Sequence, residues 1–526
     1  MIAGRLRPES GRREPTGLAT LTQVLVFAVL AVFMPISSAV AVSPSNGSGE
    51  VEEYWYRCTL GGRPCGRMHE TTRLLDDGGT RTSVDLQLRF RRGDVATSTR
   101  IRTWIELAAN ASPRSMGILQ ELGGTPVTIT WTFIDDDVVE RRSQGGRTVE
   151  TRHPRPSGSW HVPEAAMEIA RDRSRVEGSS RVLVLDPARG LEPAMVEFRK
   201  RGTERITSMG AEVEAVRWEI TDPDGSVAVE FFDADGLLRS SEVSMGAGLG
   251  VLRLALASPA EARSALEGDV ELMEAGLVRP SFNGPARRLD RGGRATYLVR
   301  GLEGAPPPRF PDAGAQQVDE TADQDVIRVE VGGGRTSPVG ADFERARHLA
   351  ATAVLDAGDP EVEAFARRHD RPGRPDEERA RSLRTAVHRH ISRKDLDIAF
   401  GTASETVRAR HGDCTEHAVL LAAALRANGI PSRLVSGLVW IPRPGERSGA
   451  FLWHMWTQAV IEDRWLDLDP TLQGGVGFHP GHLAVAFSDG GAGDMEAGGR
   501  AMLDVFGAIE IEVLGPRSPK GASADD

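Results

Sequence analysis

Residues 413–431 read DCTEHAVLLAAALRANGIP, and this run places the hardest condition on the fold. Asp413, with Glu416 three residues on, is the capping-box arrangement of a helix start. Val419 to Leu425 are apolar nearly all round, so a helix formed by them must be covered on every side. Asn428-Gly429 ends it, and Pro431 prevents its continuation. The chain must therefore build other elements around this helix. Cys414 becomes its first residue, facing unpaired backbone N–H groups and the positive end of the helix dipole. Both favour thiolate over thiol, and the thiolate is the nucleophile.

A cysteine flanked by His411 and His417 also raises the question of a metal. Cys414 and His417 share a helix face, but His411 precedes the cap and no fourth ligand is near. His388 and His390 stand at i, i+2 on a helical stretch and do not face each other. HExxH and paired-cysteine zinc patterns are absent from the sequence. Neither a metal nor a cofactor is expected. Thiolate catalysis instead needs a base and a group that orients it. His454 in FLWHMWTQAV and Asp469 in WLDLDPT fall on two strands joined by a turn near Glu462-Asp463. That turn sets Trp456 opposite Asp469 and makes His454 a diagonal neighbour, about 7–8 Å away at the backbone. An Asp that accepts the His N–H fixes its tautomer and leaves the other nitrogen for the thiol.

The remaining chain divides by texture. Arg5, Arg7, Arg12 and Arg13 precede the apolar run VLVFAVLAVFMPI, and SSAVAV follows with Ala39 and Ala41. This is the pattern of a secretory signal over 1–41, too short for the roughly 20 residues of a spanning helix. Residues 42–50 read as a polar tether. From 51 to 265, period-two alternation such as Val84, Leu86, Leu88 and Phe90 predicts antiparallel strands with one wet face. Residues 266–340 read as a small β module or linker. From 341 to 526 the sequence is helical and then strand-like, which means α+β. Ile441–Leu452 reads either as a flap over the cleft or as a plain strand connection. Cys58 and Cys65 flank Gly61-Gly62, a two-residue turn that sets them opposite each other. In an exported chain this predicts a disulfide between them and leaves Cys414 as the odd, reactive thiol. A net charge of −11 gives no reason to expect nucleic acid.

GDCTEHAVLLAAALRANGIPSRLVSGLV, then HMW, then RWLDLDPT resemble the transglutaminase-like core of bacterial proteins, over about 376–471. FGTASETVRARHGDC matches the approach to the nucleophile. The resemblance implies a papain-like α+β fold, with Cys414 as nucleophile, His454 as base and Asp469 as its orienter. It implies a thioester acyl-enzyme formed from a peptide or side-chain amide. The Cys414 backbone N–H is the expected oxyanion donor; Trp456 and Gln458 are nearby, but neither is assigned as the second. LGGRPCGRMHETTRLLDDG and FFDADGLLRSSEV more loosely resemble the β-rich exported domain found ahead of this core in bacterial proteins. The expectation is an exported thiol hydrolase or acyltransferase with a protein or peptide substrate, periplasmic or extracellular. An uncleaved N-terminal segment would hold it near a membrane. The rival is an envelope binding or scaffold protein with a vestigial triad. Substrate identity and oligomeric state stay open.

Overall fold

The computed structural model describes residues 51–515, except 93–94, 122–125, 145–146, 224, 247, 269, 272–275, 292, 303–306, 322, 333, 335, 394–400, 444, 474–476, 492–497, 499–500, 503–504 and 506. The expected signal and tether lie outside the described residues. No helix among the described residues is long and apolar enough to cross a membrane.

The alternating sequence after residue 50 becomes one antiparallel sheet of fourteen strands. Eight strands meander from Val51–Leu60 to Arg147–Pro154, and six more run from Ser179–Val184 to Val251–Ala257. The two meanders join where Val51–Leu60 pairs with Val251–Ala257. Alternation decides the buried face: Val84, Leu86, Leu88 and Phe90 all point into the core. The helix Pro163–Glu177 packs on Ser179–Val184 and buries Ala166, Met167 and Ala170.

Gly61 and Gly62 both take positive φ, 54° and 79°, and form the expected two-residue turn. The register beyond it differs from the expectation. A bulge between Cys58 and Thr59 sets Cys58 opposite Gly66 and makes Cys65 the extra residue. The disulfide expected between Cys58 and Cys65 is not formed; both are buried free thiols. Gly66 suits its place because a Cβ there would lie 2.1 Å from the Gln87 carbonyl oxygen on the next strand.

A five-stranded sheet follows, ordered Ser281–Phe282, Ile509–Leu514, Arg294–Gly301, Val326–Gly332, Gln316–Glu320. One of its central strands comes from the far end of the chain: Ile509–Leu514 pairs antiparallel with Arg294–Gly301. The division into 266–340 and 341–526 is thus crossed by a strand that the sequence reading assigned to the last part. A second crossing is Ser337–Pro338, which pairs with Trp465 and Arg464 at the edge of the third sheet.

That third sheet is ordered Ser337–Pro338, Arg464–Leu468, Glu446–Ile461, Ser432–Arg443, His482–Ser488, all antiparallel. Ile441–Leu452 belongs to its long hairpin, with Ile441 paired to Ala450 and Arg443 to Glu446. The helix Cys414–Ala427 lies on this sheet, and the helices Pro360–His369, Asp376–His390 and Ala403–Ala409 close around it. Every residue from Cys414 to Arg426 is buried, as an all-round apolar helix requires. Burying Val419, Leu420, Leu421 and Leu425 contributes roughly 1.5–3 kcal/mol per side chain.

Candidate active site

The helix start is built as its sequence dictates. The Asp413 side chain accepts from Thr415 N at 2.8 Å and from the N3 backbone, completing a capping box with Glu416. Glu416 Oε2 accepts from Asp413 N at 2.9 Å, and Oε1 from Gly401 N at 3.0 Å. Burial and the neighbouring Asp413 push the Glu416 carboxyl well above its usual range. Cys414 opens the helix and is fully buried. Its Sγ accepts a hydrogen bond from Met455 N at 3.3 Å. That N–H is free because pairing with Arg464–Leu468 reaches outward only to Thr457↔Leu468. An N–H directed at sulfur stabilises negative charge there.

The turn at Glu462-Asp463 has positive φ at both residues, 48° and 55°, and pairs Ile461 with Arg464. This is the register deduced from the sequence, and continued outward it sets Trp456 opposite Asp469. His454 Nε2 lies 2.7 Å from Asp469 Oδ2, both groups fully buried. His454 Nδ1 is buried with no hydrogen-bond partner among the described residues. Asp469 Oδ1 accepts from Thr471 N at 2.7 Å. Burial alone would raise the Asp469 carboxyl, but His454 and His482 together hold it well below the usual carboxylate range. An ionised carboxylate only accepts, so His454 Nε2 carries the hydrogen, and in the neutral ring Nδ1 is then the acceptor. His454 and Asp469 therefore meet directly, and Cys414 joins them through the N–H of Met455, the residue after His454.

His482 was not singled out in the sequence. Its Nε2 also reaches Asp469 Oδ2, at 3.1 Å, and it is buried between Phe478, 4.5 Å away by ring centroids, and Trp456, 5.1 Å away. His454, Asp469 and His482 are the metal-ligand-type cluster of the described residues, with ligand atoms within 4.8 Å of one another. The two N–O separations are those of hydrogen bonds. FHPGH carries no spacing that announces this role, because the contact is made through a strand added on the far side of Ser432–Arg443.

Other candidate residues have different tasks. His417 Nδ1 meets the Asp413 carbonyl at 2.6 Å, one turn back along its own helix. His411 sits in a single bridge with Arg393. His388 Nδ1 reaches Pro470 O at 2.9 Å and His390 Nε2 reaches Val407 O at 2.8 Å, so the HRH pair points two ways. Arg384 Nε donates to the Asp469 carbonyl at 2.6 Å and bridges to Leu472 O, fixing the strand end from behind. Trp456 Nε1 and Gln458 Nε2 both donate to Asp467 Oδ1 at 2.8 Å, which places their donors on that carboxylate.

A family model, the transglutaminase-like superfamily, matches residues 363–470, a span that contains all three residues. Uncharacterized proteins of Mycobacterium tuberculosis and Mycobacterium bovis are 32% identical over 136 residues, 23% of this chain and 43% of theirs. The chain thus spans less than half the length of these relatives. A candidate cysteine protease from Cytophaga hutchinsonii is 13% identical, covers 41% of this chain and 80% of its own, and superposes at a TM-score of 0.25. A beta-barrel-like protein of unknown function from Brucella abortus is 12% identical over 40% of this chain and 98% of its own, at 0.30. Scores this low carry no weight; the family match does. Residues 363–470 of this chain are a domain of the transglutaminase-like superfamily.

Proposed function

We propose that the chain is an exported thiol-dependent hydrolase or acyltransferase that acts on peptide or side-chain amides through Cys414, His454 and Asp469. One observation carries this: His454 turns Nε2 to Asp469 at 2.7 Å and keeps a buried Nδ1, without a partner among the described residues, on the strand whose Met455 N–H contacts the Cys414 sulfur. His454 Nδ1 takes the Cys414 proton as the sulfur attacks the amide carbon. The Cys414 N–H at the helix start and the Met455 N–H beside the sulfur are the donors proposed to meet the carbonyl oxygen as it gains charge. The C–N bond then breaks, Nδ1–H passes its proton to the leaving nitrogen, and a thioester stays on Cys414. Water gives its proton to Nδ1 and adds to the thioester; the C–S bond breaks, releasing acid and restoring the thiol. An amine in place of water gives a new amide. Hydrolysis ranks first because an exported protein meets water in excess. Export rests on the arginine-then-apolar pattern of residues 5–41.

The thiol has zero exposure, so a substrate reaches it only after neighbouring atoms move aside. That burial is what favours the scaffold reading. Incubation with peptide and amine libraries, acid quenching and weighing of the intact protein separates the two. The proposal expects an acyl adduct on Cys414 that Cys414→Ala abolishes. If every detected activity survives that substitution, the mechanism is wrong.

A further inference from the structure

Outside the triad, the transglutaminase-like domain gathers positive charge into one concave place. A cavity of about 770 Å³ opens where the helices Pro360–His369, Asp376–His390 and Ala403–Ala409 end. Among the described residues, five guanidinium groups line it, from Arg368, Arg371, Arg381, Arg389 and Arg410, against one carboxylate, Glu378. Glu378 also pairs with Arg374 at 3.9 Å. Arg381 is held by Glu377 at 2.6 Å, and Arg410 Nε donates to the His390 carbonyl at 3.3 Å. The side chains of Arg368, Arg371 and Arg389 make no hydrogen bond or ion pair among the described residues.

We infer that this cavity is a binding site for a polyvalent phosphate-class anion. Lone exposed arginines are ordinary, but five around one hollow in a chain of net charge −11 are not. Helix dipoles account for part of the pattern. Arg368 and Arg389 stand in the last turns of their helices, where cations are favoured. Arg371 lies past a helix end, and Arg381 stands mid-helix. Arg410 takes a left-handed conformation at φ 53° beyond Ala403–Ala409. Three helix C-termini return about −1.5 charge in total, less than the surplus of guanidinium over carboxylate. His369 and His390 share the wall, and burial lowers both from the usual histidine value. Guanidinium forks bind phosphate oxygens in pairs, and one phosphate accepts from several forks at once. A single carboxylate would leave most of this lining unsatisfied. The same chemistry comes from a soluble phosphate ester or from a phospholipid headgroup.

The test uses the full chain, at low salt, in two arms. One titrates inorganic pyrophosphate by calorimetry, with acetate as control; the other measures sedimentation with phosphatidylglycerol vesicles against phosphatidylcholine vesicles. The triple variant Arg368→Gln, Arg371→Gln, Arg389→Gln alters exposed side chains that contact none of the triad residues and is expected to keep the wild-type Tm. At least one arm binds, and the variant weakens it tenfold or more, as does raised salt. Pyrophosphate binding marks a soluble ligand, and vesicle binding alone marks a headgroup. The inference is overturned if neither arm binds, if acetate binds as well as pyrophosphate, or if the triple variant binds like wild type.

Discussion

Replacing His482 asks whether the Asp469 carboxylate, and through it His454, is held by two imidazoles or by one. Oδ2 meets His454 Nε2 at 2.7 Å and His482 Nε2 at 3.1 Å, while Oδ1 takes the Thr471 N–H. All of these groups are buried, so a lost donor leaves an unmet lone pair on a charged group. A hydrogen bond to a charged group contributes about 1.5–3 kcal/mol. At about 1.4 kcal/mol per tenfold, His482→Ala slows thiolate chemistry by roughly 10- to 100-fold if that energy is felt as His454 becomes imidazolium. The 3.1 Å contact is the longer of the two, which favours the lower end. The sign with pH follows from Asp469. Its folded pKa is depressed, so its contribution is present above the unfolded value and lost as pH falls through the folded one. Without His482 that folded value rises, and the acid limb moves to higher pH. The readout is the alkylation rate of Cys414 by iodoacetamide against pH, followed by intact mass, beside Tm. His482→Ala also opens space beside Phe478 and Trp456, which lowers Tm by itself. His482→Gln restores an N–H donor and much of the volume, so it should recover most of the rate. If His482→Ala alkylates at the wild-type rate while Asp469→Asn is slow, His482 only packs and the two-imidazole account is refuted.

Burial pushes Glu230 up to about 8, with the Ser241 hydroxyl offsetting only part of this. Its contribution to stability is full below about pH 4.5 and disappears as pH climbs through about 8, so Tm should fall across that window. Glu230→Gln should flatten the fall; an unchanged slope would disprove the assignment. Gly412 has φ 148°, and a Cβ there would lie 2.4 Å from the Glu416 Cβ. Gly412→Ala should therefore break the capping box and lower stability by roughly 1–3 kcal/mol, measured by urea unfolding. Burial raises the Cys58 thiol and pushes Cys65 up to about 12, so neither should label with a maleimide until the chain unfolds. A mass two hydrogens short in the native protein would show instead that the pair is oxidised.

What the sequence disclosed follows the range of the contacts. The helix at Cys414 carries its own start and stop signals within nineteen residues, 413 to 431, and the structure forms it there. The His454–Asp469 contact needed only a two-residue turn and the period of a strand, and those too are local. Cys58 and Cys65 misled because a bulge shifts the count by one residue, which the turn at Gly61-Gly62 does not disclose. His482 was invisible for a stronger reason. It reaches Asp469 only because His482–Ser488 pairs with Ser432–Arg443, a pairing that no local periodicity fixes. Ile509–Leu514 reads as a strand of any sheet; its partner is more than two hundred residues earlier.

The small middle sheet, which offers no catalytic group, acts on the site through these same non-local contacts. Asp467, two residues before Asp469, accepts from Ala315 N at 2.8 Å. Gly314 must be glycine at φ 63°, since a Cβ would fall 2.2 Å from Asp467 Oδ2. Gln316 holds Ala484 in both directions, Nε2 to O at 3.0 Å and Oε1 from N at 2.9 Å. Tyr297 OH donates to Pro480 O at 2.5 Å. Pro480 and Ala484 bracket His482 by two residues on either side. One module therefore holds both the strand that leads to Asp469 and the strand that begins at His482. The separation of those two side chains is then set outside the segment that carries the family match. Substitutions at Gly314 or Gln316, which touch neither Cys414 nor His454, belong to the site as fully as a change in the triad.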